Sequence, residues 1–335
     1  MDKIEIPFKE IINDGSGEVI KTTGVEQNEI LYSLNHDSRN IERGQWFICL
    51  RGEAGDGHEY IVMAVEKGAC GIIYESGNDV SFLDPHVKTI EVKDTTHFLG
   101  TLARRWRDLM NPVIIAITGS NGKTSTKEMV AFLLGHAYPG KVFYSRGNWN
   151  NHFGLPFSLL NLRTEHEYAV IEVGTNHPGE IEYLAKIARP DYSIVTSVAS
   201  GHIGNFGSVE NISEEKSSIV EGMDGGFLSM PETIAGRETF ETKAAKHNVE
   251  VIFSDQQLNK IPSGGVDTHF QYHDQEYILP LPGAHQFENF KLAVSILVKV
   301  GLTQEVLMDA FSDLKTLSNV PGRLAQRDHS DFIIW

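Results

Sequence analysis

Residues 113–125 constrain the fold of this chain more than any other segment. Five apolar residues are followed by a loop with two glycines and then by a Lys-Thr pair, the order expected for a buried strand, a tight turn and a helix start. Gly119 and Gly122 allow backbone conformations that point N–H groups into the loop, and the helix N-terminus adds partial positive charge. We call residues 118–125 the phosphate loop, because this arrangement favours the binding of a polyphosphate.

The same order of strand and helix continues after Pro112. Three apolar runs alternate with three helix-like stretches, at residues 113–117 and 124–134, 168–171 and 179–188, and 192–195 and 209–220. Residues 270–281 look like a β-rich excursion, and helices are expected at 288–300 and 305–314. Continuous apolar strands with intervening helices are typical of a parallel sheet covered on both faces. We therefore predict an α/β fold with a mostly parallel, doubly wound sheet.

The first 111 residues follow a separate pattern. Strand-like and helix-like stretches occur in them, at residues 46–50, 58–67, 71–74, 87–92 and 95–109. The last stretch ends at Asn111-Pro112, a dipeptide that disfavours helix continuation. A chain of 335 residues is also longer than the usual single domain of roughly 100–200 residues. We therefore predict a small α/β domain at 1–111 and a central domain at 112–326 that carries the phosphate loop.

Composition excludes several classes of protein. The formal net charge of -16 repels a nucleic-acid backbone, so nucleic acid is not expected as a partner. Only two cysteines occur, Cys49 and Cys70, both beside apolar residues, as expected for buried thiols in a reducing compartment. No apolar run approaches the roughly 20 residues that span a bilayer. We expect a cytoplasmic protein without a membrane segment.

The phosphate loop indicates the kind of nucleotide. Lys123 would lie on the β- and γ-phosphate oxygens, and the Thr124 hydroxyl would bind Mg²⁺. The segment departs from the full G-x-x-x-x-G-K-[ST] pattern, because Ile117 stands in place of the first glycine. A GTPase needs an Asn-Lys-x-Asp loop, and the chain offers only Asn259-Lys260-Ile261-Pro262. ATP is therefore the expected nucleotide. The alternative interpretation of the phosphate loop itself is a glycine-rich turn with an exposed lysine.

Glu172 follows the apolar run 168–171 and precedes Val173-Gly174. Ligands of open α/β sheets bind beyond the carboxyl ends of the strands, where this side chain would lie. A carboxylate at that position is suited to hold or orient a hard cation. The alternative is a solvated acid at a strand end.

Several segments, in the expected order, resemble the Mur ligases, the ATP-dependent amide ligases of peptidoglycan precursor synthesis. The phosphate loop with its preceding isoleucine is similar to theirs. Residues 147–156 resemble the Gly-Asn-x-Asn-Asn-x-x-Gly-x-Pro segment of the family member that adds D-alanyl-D-alanine. The other similar segments lie at 37–39, 56–58, 172–174, 179–181, 202–208, 283–285 with Asn289, and 322–324. The resemblance covers essentially the whole chain.

This resemblance implies an activity and its ligands. ATP phosphorylates the carboxylate of a UDP-MurNAc-peptide, and the acyl phosphate is attacked by an incoming amine, here that of D-alanyl-D-alanine. Two Mg²⁺ ions would offset the repulsion between the carboxylate and the γ-phosphate. The first domain would bind the UDP-sugar peptide, and we expect the protein to be a monomer.

The resemblance also assigns residues to roles. Lys123, His202, Lys216 and Arg323 are the catalytic candidates, with Lys216 at the position that the family carbamylates and Arg323 near the transferred phosphoryl group. Nucleotide binding is assigned to Gly119, Ser120, Asn121, Gly122, Lys123, Thr124, Ser125, Asn289 and Arg323, with Asn289 reading adenine. Metal binding is assigned to Thr124, Glu172, His202 and carbamylated Lys216. Substrate binding is assigned to Ser38, Arg39, Asn148, Asn150 and Asn151.

The residues leave other readings open. His202 could be an exposed turn residue, Lys216 a solvated surface lysine and Asn289 a polar residue at a helix start. Asn148, Asn150 and Asn151 could stabilise a turn. The chain also departs from the family pattern, since Ser218 stands where the family usually has Glu and Gln286 where it often has Asn.

The end of the chain bears on its activity. Family members carry a third domain, Rossmann-like, that receives the incoming amino acid or dipeptide. We interpret residues 327–335, which end in the apolar run Phe332-Ile333-Ile334-Trp335, as the start of that domain. We expect complete ligation to be weak or absent in this chain alone. Two alternatives remain: another ligase of the family, such as the member that adds the third amino acid, and a non-catalytic nucleotide-binding relative.

Overall fold

A computed structural model describes residues 4–12, 17–52, 55–199, 203–255, 257–262, 267–281, 283–317, 327–329 and 332–334. The chain divides into two compact units. Unit 1 comprises Met1–Leu109 with Leu159–Asn161, and unit 2 comprises Met110–Ser158 with Leu162–Trp335. The division near residue 110 is close to the boundary predicted at Asn111-Pro112, whereas the return of Leu159–Asn161 to unit 1 was not predicted.

Unit 1 is built from short strands and three helices within its described residues. Its strands are β1 (Ile6–Pro7), β2 (Val19–Thr23), β3 (Ile30–Leu31), β4 (Leu34–Asn35), β5 (Trp46–Ile48), β6 (Arg51–Gly52), β7 (Gly55–Asp56), β8 (Gly71–Glu75) and β9 (Lys88–Val92). Its helices are α1 (Phe8–Ile12), α2 (Ile61–Glu66) and α3 (Thr95–Met110), with 3₁₀ turns at Ser38–Asn40 and Gly57–Tyr60.

The main sheet of unit 1 has the strand order β2-β9-β8-β5-β4. Strands β4, β5, β8 and β9 run parallel, and β2 joins the edge antiparallel to β9. Phe47 and Ile72 on neighbouring strands are fully buried and pack with Ile61 and Ala64 of α2. Parallel strands are normally buried beneath helices, and these apolar residues suit that arrangement because α2 covers them.

Unit 2 contains the phosphate loop. Its strands are β10 (Val113–Thr118), β11 (Val142–Tyr144), β12 (Tyr168–Glu172), β13 (Tyr192–Val195), β14 (Phe227–Met230), β15 (Glu250–Phe253), β16 (Leu258–Ile261), β17 (Thr268–Tyr272), β18 (Gln275–Leu279), β19 (Arg327–His329) and β20 (Phe332–Ile334). Its helices are α4 (Lys123–Ala137), α5 (Gly154–Leu159), α6 (Glu180–Ala188), α7 (Ile203–Phe206), α8 (Val209–Ser217), α9 (Arg237–Lys246), α10 (Ala284–Val300) and α11 (Gln304–Ser312), with 3₁₀ turns at Ser218–Gly222 and Leu314–Leu317.

Six parallel strands form the central sheet of unit 2, in the order β11-β12-β10-β13-β14-β15. This confirms the predicted mostly parallel α/β sheet. Strand β10 lies between β12 and β13, so the chain continues first to one side of β10 and then to the other. The loop after β10 therefore lies at a topological switch point, where open α/β sheets bind ligands.

Both faces of β10 are buried because its residues are apolar without a break. Ile115 and Ile117 pack on one face in a cluster that includes Met129 of α4 and Phe290 of α10. Side chains alternate between the faces of a strand, so Ala116 points to the other face, where it is also fully buried. Beyond the sheet, β16, β17 and β18 form a separate antiparallel sheet. Strand β18 and most of β17 lie in the region 270–281 that was predicted to be β-rich, whereas β16 was not predicted.

The expectation of two buried thiols was wrong for one of them. Cys49 is buried, and this burial raises the pKa of its thiol. Cys70 lies in the turn before β8 and is only partly buried, and its Sγ donates to the Gly44 carbonyl at 3.0 Å. Within the described part of the chain, no helix is both long enough and apolar enough to cross a membrane.

Candidate functional site

The phosphate loop connects the end of β10 to the start of α4, and its two glycines cannot be replaced without collision. Gly119 has φ +146° and Gly122 has φ +85°, both in the region that favours glycine. A Cβ on Gly119 would lie 1.9 Å from Thr196 Oγ1, and a Cβ on Gly122 would lie 2.5 Å from Asn289 Nδ2. The loop is therefore packed tightly on β13 at one glycine and on α10 at the other.

Residues 196–199, directly after β13, hold the loop in place. The Ser120 N–H donates to the Ser197 carbonyl at 2.8 Å, and the Asn121 N–H donates to Ser197 Oγ at 3.1 Å. The Thr196 hydroxyl donates to the Asn121 carbonyl at 2.5 Å, and the Ala199 N–H donates to Ser120 Oγ at 2.9 Å. The sequence analysis missed this support, although the Thr-Ser pair at a strand end was the available signal.

The first turn of α4 carries the polar groups that face the loop. Lys123 Nζ donates to the Gly119 carbonyl at 2.9 Å, so its ammonium group is folded back over the loop. The N–H groups of a first helical turn have no partner within the helix, and they attract anions. A cation and a helix N-terminus next to a glycine loop can together bind phosphate oxygens.

Glu172 lies at the end of β12 and is only 2% exposed. Thr124 Oγ1 donates to its Oε2 at 2.8 Å, and Asn150 Nδ2 donates to its Oε1 at 2.7 Å. The reading of Glu172 as a solvated acid is therefore wrong. A hydroxyl and a carboxylate side by side are the oxygen ligands that Mg²⁺ uses together with phosphate oxygens.

The donor set suits a metal bound jointly with a nucleotide rather than by the protein alone. Among the residues that the structure describes, no three His, Cys, Asp or Glu side chains come together to enclose an ion. Thr124 and Glu172 would supply two oxygen ligands beside the phosphate loop, and phosphate oxygens and water would supply the rest. The residues present therefore fit Mg²⁺.

The three asparagines of the similar segment 147–156 have different positions. The Asn150 side chain contacts Glu172, and its backbone carbonyl accepts from the Gly174 N–H at 2.8 Å. Asn151 Oδ1 accepts from the Gly154 N–H at 2.8 Å, at the start of α5. Asn148 is exposed, and its carbonyl accepts from the Asn150 N–H. Only Asn150 faces the candidate metal position.

Lys216, on α8, is 4% exposed, so the reading as a solvated lysine is wrong. Desolvation by burial, together with the charge of Lys123, lowers the pKa of its amine to about 8. Its neighbour Glu215 was missed by the sequence analysis. The Glu215 carboxylate accepts from the N–H groups of Gly179 at 2.7 Å and Ile181 at 2.9 Å, and this contact holds α8 against the start of α6.

The lowered pKa of Lys216 predicts a dependence of stability on pH. In the unfolded chain an ordinary lysine keeps its proton up to about pH 10.4, whereas in the folded chain Lys216 loses it near pH 8. The folded state then binds fewer protons between these values, so the cost of the buried charge is full below pH 8 and disappears as pH rises. We expect the unfolding free energy of wild type, relative to Lys216→Met, to increase by about 2 kcal/mol between pH 7.5 and 9.5 in urea denaturation. A difference that is independent of pH would contradict the burial of a charged amine.

Ser218, which stands where the family usually has Glu, forms hydrogen bonds with residues of α8 and α9. Ser218 Oγ accepts from Lys243 Nζ at 2.9 Å and donates to the Glu214 carbonyl at 3.0 Å. Lys243 also pairs with the Glu214 carboxylate at 2.7 Å. These contacts tie α9 to the end of α8.

Helix α10 brings two amide side chains to the loop. Asn289 is 6% exposed and lies against Gly122. Gln286 Nε2 donates to Ser125 Oγ at 3.4 Å, and its Oε1 has no hydrogen-bond partner among the described residues. Asn289 therefore does more than begin a helix, since it lies inside α10 and packs on the loop.

Two of the predicted site residues, His202 and Arg323, lie outside the described residues. Ser38 and Arg39 lie in unit 1. The Ser38 side chain is buried, and its Oγ donates to Met63 Sδ at 3.4 Å. Arg39 is exposed and forms an ion pair with Asp37 at 2.9 Å, which holds the pKa of that carboxyl at about 2. Of these two residues, Arg39 presents a charged group to solvent.

Comparisons with known proteins agree with this geometry. A family description for the Mur ligase middle domain matches residues 117–297, and one for the Mur ligase family, catalytic domain, matches residues 31–107. The chain is 31% identical over 307 residues to the UDP-N-acetylmuramoyl-tripeptide–D-alanyl-D-alanine ligase of Haemophilus influenzae, and the match covers 89% of this chain and 66% of that protein. The chain thus spans slightly less than two thirds of the length of this curated relative.

Solved structures show the same similarity. A crystal structure of MurF from Acinetobacter baumannii superposes with a TM-score of 0.84 at 27% identity, covering 99% of this chain and 73% of that one. MurF ligase from Thermotoga maritima in complex with ADP superposes with a TM-score of 0.75 at 27% identity, covering 90% and 69%. The family descriptions together include the phosphate loop and most strands of the two main sheets, while β2 and the first four residues of β10 lie outside the matched ranges. The chain therefore belongs to the Mur ligase family.

Proposed function

We propose that this chain is the UDP-sugar-binding and ATP-binding part of a UDP-N-acetylmuramoyl-tripeptide–D-alanyl-D-alanine ligase. The observation that carries the proposal is the contact of Thr124 and Asn150 with the two carboxylate oxygens of Glu172, beside the phosphate loop. These three residues belong to three of the segments that resemble the family. The similarity to the Haemophilus ligase supports the choice of member.

ATP would bind with its phosphates on the loop, and Thr124 and Glu172 would hold Mg²⁺. Lys123 would leave the Gly119 carbonyl and donate to phosphate oxygens instead. Asn289, packed against Gly122, is placed to contact the nucleotide, and Ser120, Asn121 and Ser125 would keep the loop in shape. When bound, Mg²⁺ would offset the repulsion between the nucleotide and an approaching carboxylate.

The reaction proposed for the whole ligase forms two bonds in turn. A carboxylate oxygen of the UDP-MurNAc-tripeptide takes the γ-phosphoryl group, and ADP leaves. The amine of D-alanyl-D-alanine then attacks the acyl carbon, loses a proton and displaces phosphate to give the amide. Lys123 and Asn150 would orient the reactants, and the neutral amine of Lys216 is the form that takes up CO₂ to give a carbamate and a proton. His202 and Arg323 remain predictions for the phosphoryl group.

The roles of unit 1 and of the partners belong to the same proposal. Unit 1 would bind the UDP-sugar peptide, with Ser38 and Arg39 near it. A monomeric state, a cytoplasmic location and the lack of nucleic-acid and membrane partners also remain predictions. One observation favours a non-catalytic relative as the second candidate: Ser218 stands where the family usually has Glu. ATP consumption on mixing with UDP-MurNAc-tripeptide would exclude that candidate.

A titration of the phosphate loop tests the proposal. Calorimetry with a non-hydrolysable ATP analogue and Mg²⁺ is expected to show binding by wild type and about tenfold weaker binding by Lys123→Ala, because a hydrogen bond to a charged group is lost. Lys186→Ala is the matched control, since that lysine is 52% exposed on α6 and pairs with Glu182. Equal affinity of wild type and Lys123→Ala would refute the nucleotide site.

A further inference from the structure

A second lysine of α4 is completely buried. Lys127 lies one helical turn after Lys123, and its side chain has no exposed surface. Removing an ammonium group from water costs several kcal/mol unless all of its donors are satisfied. Nζ donates to the Ser145 carbonyl at 2.5 Å and the Gly147 carbonyl at 3.4 Å, and it pairs with Glu128 at 3.1 Å. Three donors thus meet three oxygen acceptors.

The two carbonyls belong to a short segment that follows β11 and leads to residues 148–151, which we call the asparagine loop. We call residues 145–147 the connecting segment. Ser145 Oγ accepts from the Glu172 N–H at 3.1 Å, so this segment contacts Glu172 directly. Asn150, three residues beyond Gly147, then reaches the Glu172 carboxylate at 2.7 Å. The chain that leaves β11 therefore touches Glu172 twice, and Lys127 binds it before the second contact.

Stability alone does not account for a charge at this position. Replacing a buried ion pair with well-packed apolar residues is often neutral or stabilising. The buried positions that follow Lys127 on α4 are all apolar, among them Met129, Val130 and Leu133, and they fill the core without side-chain hydrogen bonds. A lysine differs from them in one respect, because it can hold two backbone carbonyls of a neighbouring segment at fixed distance.

We propose that Lys127 is a positioning residue for the candidate metal site at Glu172. By tying the connecting segment to the helix that carries Lys123 and Thr124, it keeps Asn150 on the Glu172 carboxylate. Glu172 is then held at one oxygen by α4 and at the other by the asparagine loop. Lys127 itself touches neither nucleotide nor metal. The inference rests on the proposed function and deepens it.

The first experiment needs no ligand. Trp149 lies beside Asn150 and is 45% exposed, whereas Trp46 and Trp106 are buried. In a Trp335→Phe background, we expect Lys127→Met to lower the fluorescence anisotropy of Trp149 and to increase its quenching by acrylamide, because the loop loses its anchor. Lys141→Met is the control, since that lysine is 49% exposed just before β11 and pairs with Glu167. Unchanged Trp149 signals in Lys127→Met would overturn the proposal.

The second experiment measures nucleotide affinity with and without Mg²⁺. Loss of a group that orients a metal ligand typically lowers metal affinity 10–100-fold. We expect Lys127→Met to reduce the gain in analogue affinity that Mg²⁺ confers by about tenfold and to leave Mg²⁺-free affinity unchanged. The double variant with Asn150→Ala should lose no more than Asn150→Ala alone, because Lys127 acts through Asn150. Fully additive losses, or an intact Mg²⁺ effect in Lys127→Met, would overturn the proposal.

Failure of the proposed function can be distinguished from failure of the inference about Lys127. Wild type without any Mg²⁺ effect would refute the proposed function, while the Trp149 comparison would still decide whether Lys127 anchors the loop. If Lys127→Met does not fold, Lys127→Gln replaces it, since an amide keeps two donors without the charge. A Mg²⁺ effect between those of wild type and Asn150→Ala is then expected, and an effect equal to that of wild type would overturn the proposal. If neither variant folds, the role of Lys127 is structural and the proposal is wrong.

Discussion

Gly119→Ala is expected to weaken the binding of an ATP analogue with Mg²⁺ more than 100-fold. The new Cβ would lie 1.9 Å from Thr196 Oγ1 and 3.0 Å from the Ser197 nitrogen, so the loop must move by more than an ångström. Thr196 and Ser197 hold Asn121 by hydrogen bonds, and every donor of the loop would shift with it. Hydrogen bonds to a charged group contribute about 1.5–3 kcal/mol each, so the loss of two of them weakens binding by about 100-fold or more. Calorimetric titration measures the effect.

Gly140→Ala is the matched control for Gly119→Ala. Gly140 also has a positive φ of +75°, but no described atom lies within 4 Å of the position of its Cβ. It should lose about 1 kcal/mol of unfolding free energy from backbone strain alone and keep its nucleotide affinity. Similar nucleotide affinities of the two variants would show that the contact with Thr196 does not set the shape of the loop.

Gly222→Ala is expected to lower the unfolding free energy by about 3 kcal/mol or more. Gly222 ends the 3₁₀ turn after α8, and a Cβ there would lie 2.0 Å from the Ala185 carbonyl oxygen and 2.3 Å from its carbon. These atoms belong to the backbone of α6 and cannot rotate away, so the turn and the helix must separate. Urea denaturation measures the loss as a lower midpoint at unchanged slope.

Gly135→Ala, in the same unit, is the control for Gly222→Ala and should raise the unfolding free energy instead of lowering it. Gly135 lies inside α4, and no described atom comes within 4 Å of its Cβ position. Alanine should therefore stabilise the helix by about 1 kcal/mol. A loss of less than 1 kcal/mol in Gly222→Ala would refute the close packing of the turn on α6.

The family, the parallel sheet and the position of Glu172 could be predicted because their signals are local. Apolar runs without a break indicate buried parallel strands, and Glu172 directly follows one of them. Strands β14 and β15 were not predicted, although they are as long as β13, which also carries a serine and was predicted. In these two strands the parallel pairing with the rest of the sheet, and not the local pattern, determines the structure.

The residues of the candidate site that carry its chemistry were named from the sequence, whereas the residues that hold them in place were not. Lys123 and Thr124 follow from a motif with fixed spacing, whereas Thr196 and Glu215 act on backbone groups that are distant in sequence. Sequence also could not separate Asn150 from Asn151, because adjacent asparagines look alike until the turn directs one to Glu172 and the other to the start of α5. Lys127 was missed because a polar residue in the middle of a helix resembles a solvated one.

The position of β10 at the centre of the sheet has a consequence for synthesis on the ribosome. Thr124 cannot form its hydrogen bond with Glu172 until that residue, 48 positions further along the chain, has been synthesised. The hydrogen bond of Asn121 likewise requires Ser197, which is 76 positions further along. Contacts between distant residues form late, since the loop-closure entropy must be overcome first. The phosphate loop therefore emerges early and takes its shape only after β13 has joined the sheet, so a nucleotide could stabilise the folding chain only after Ser197 has been synthesised.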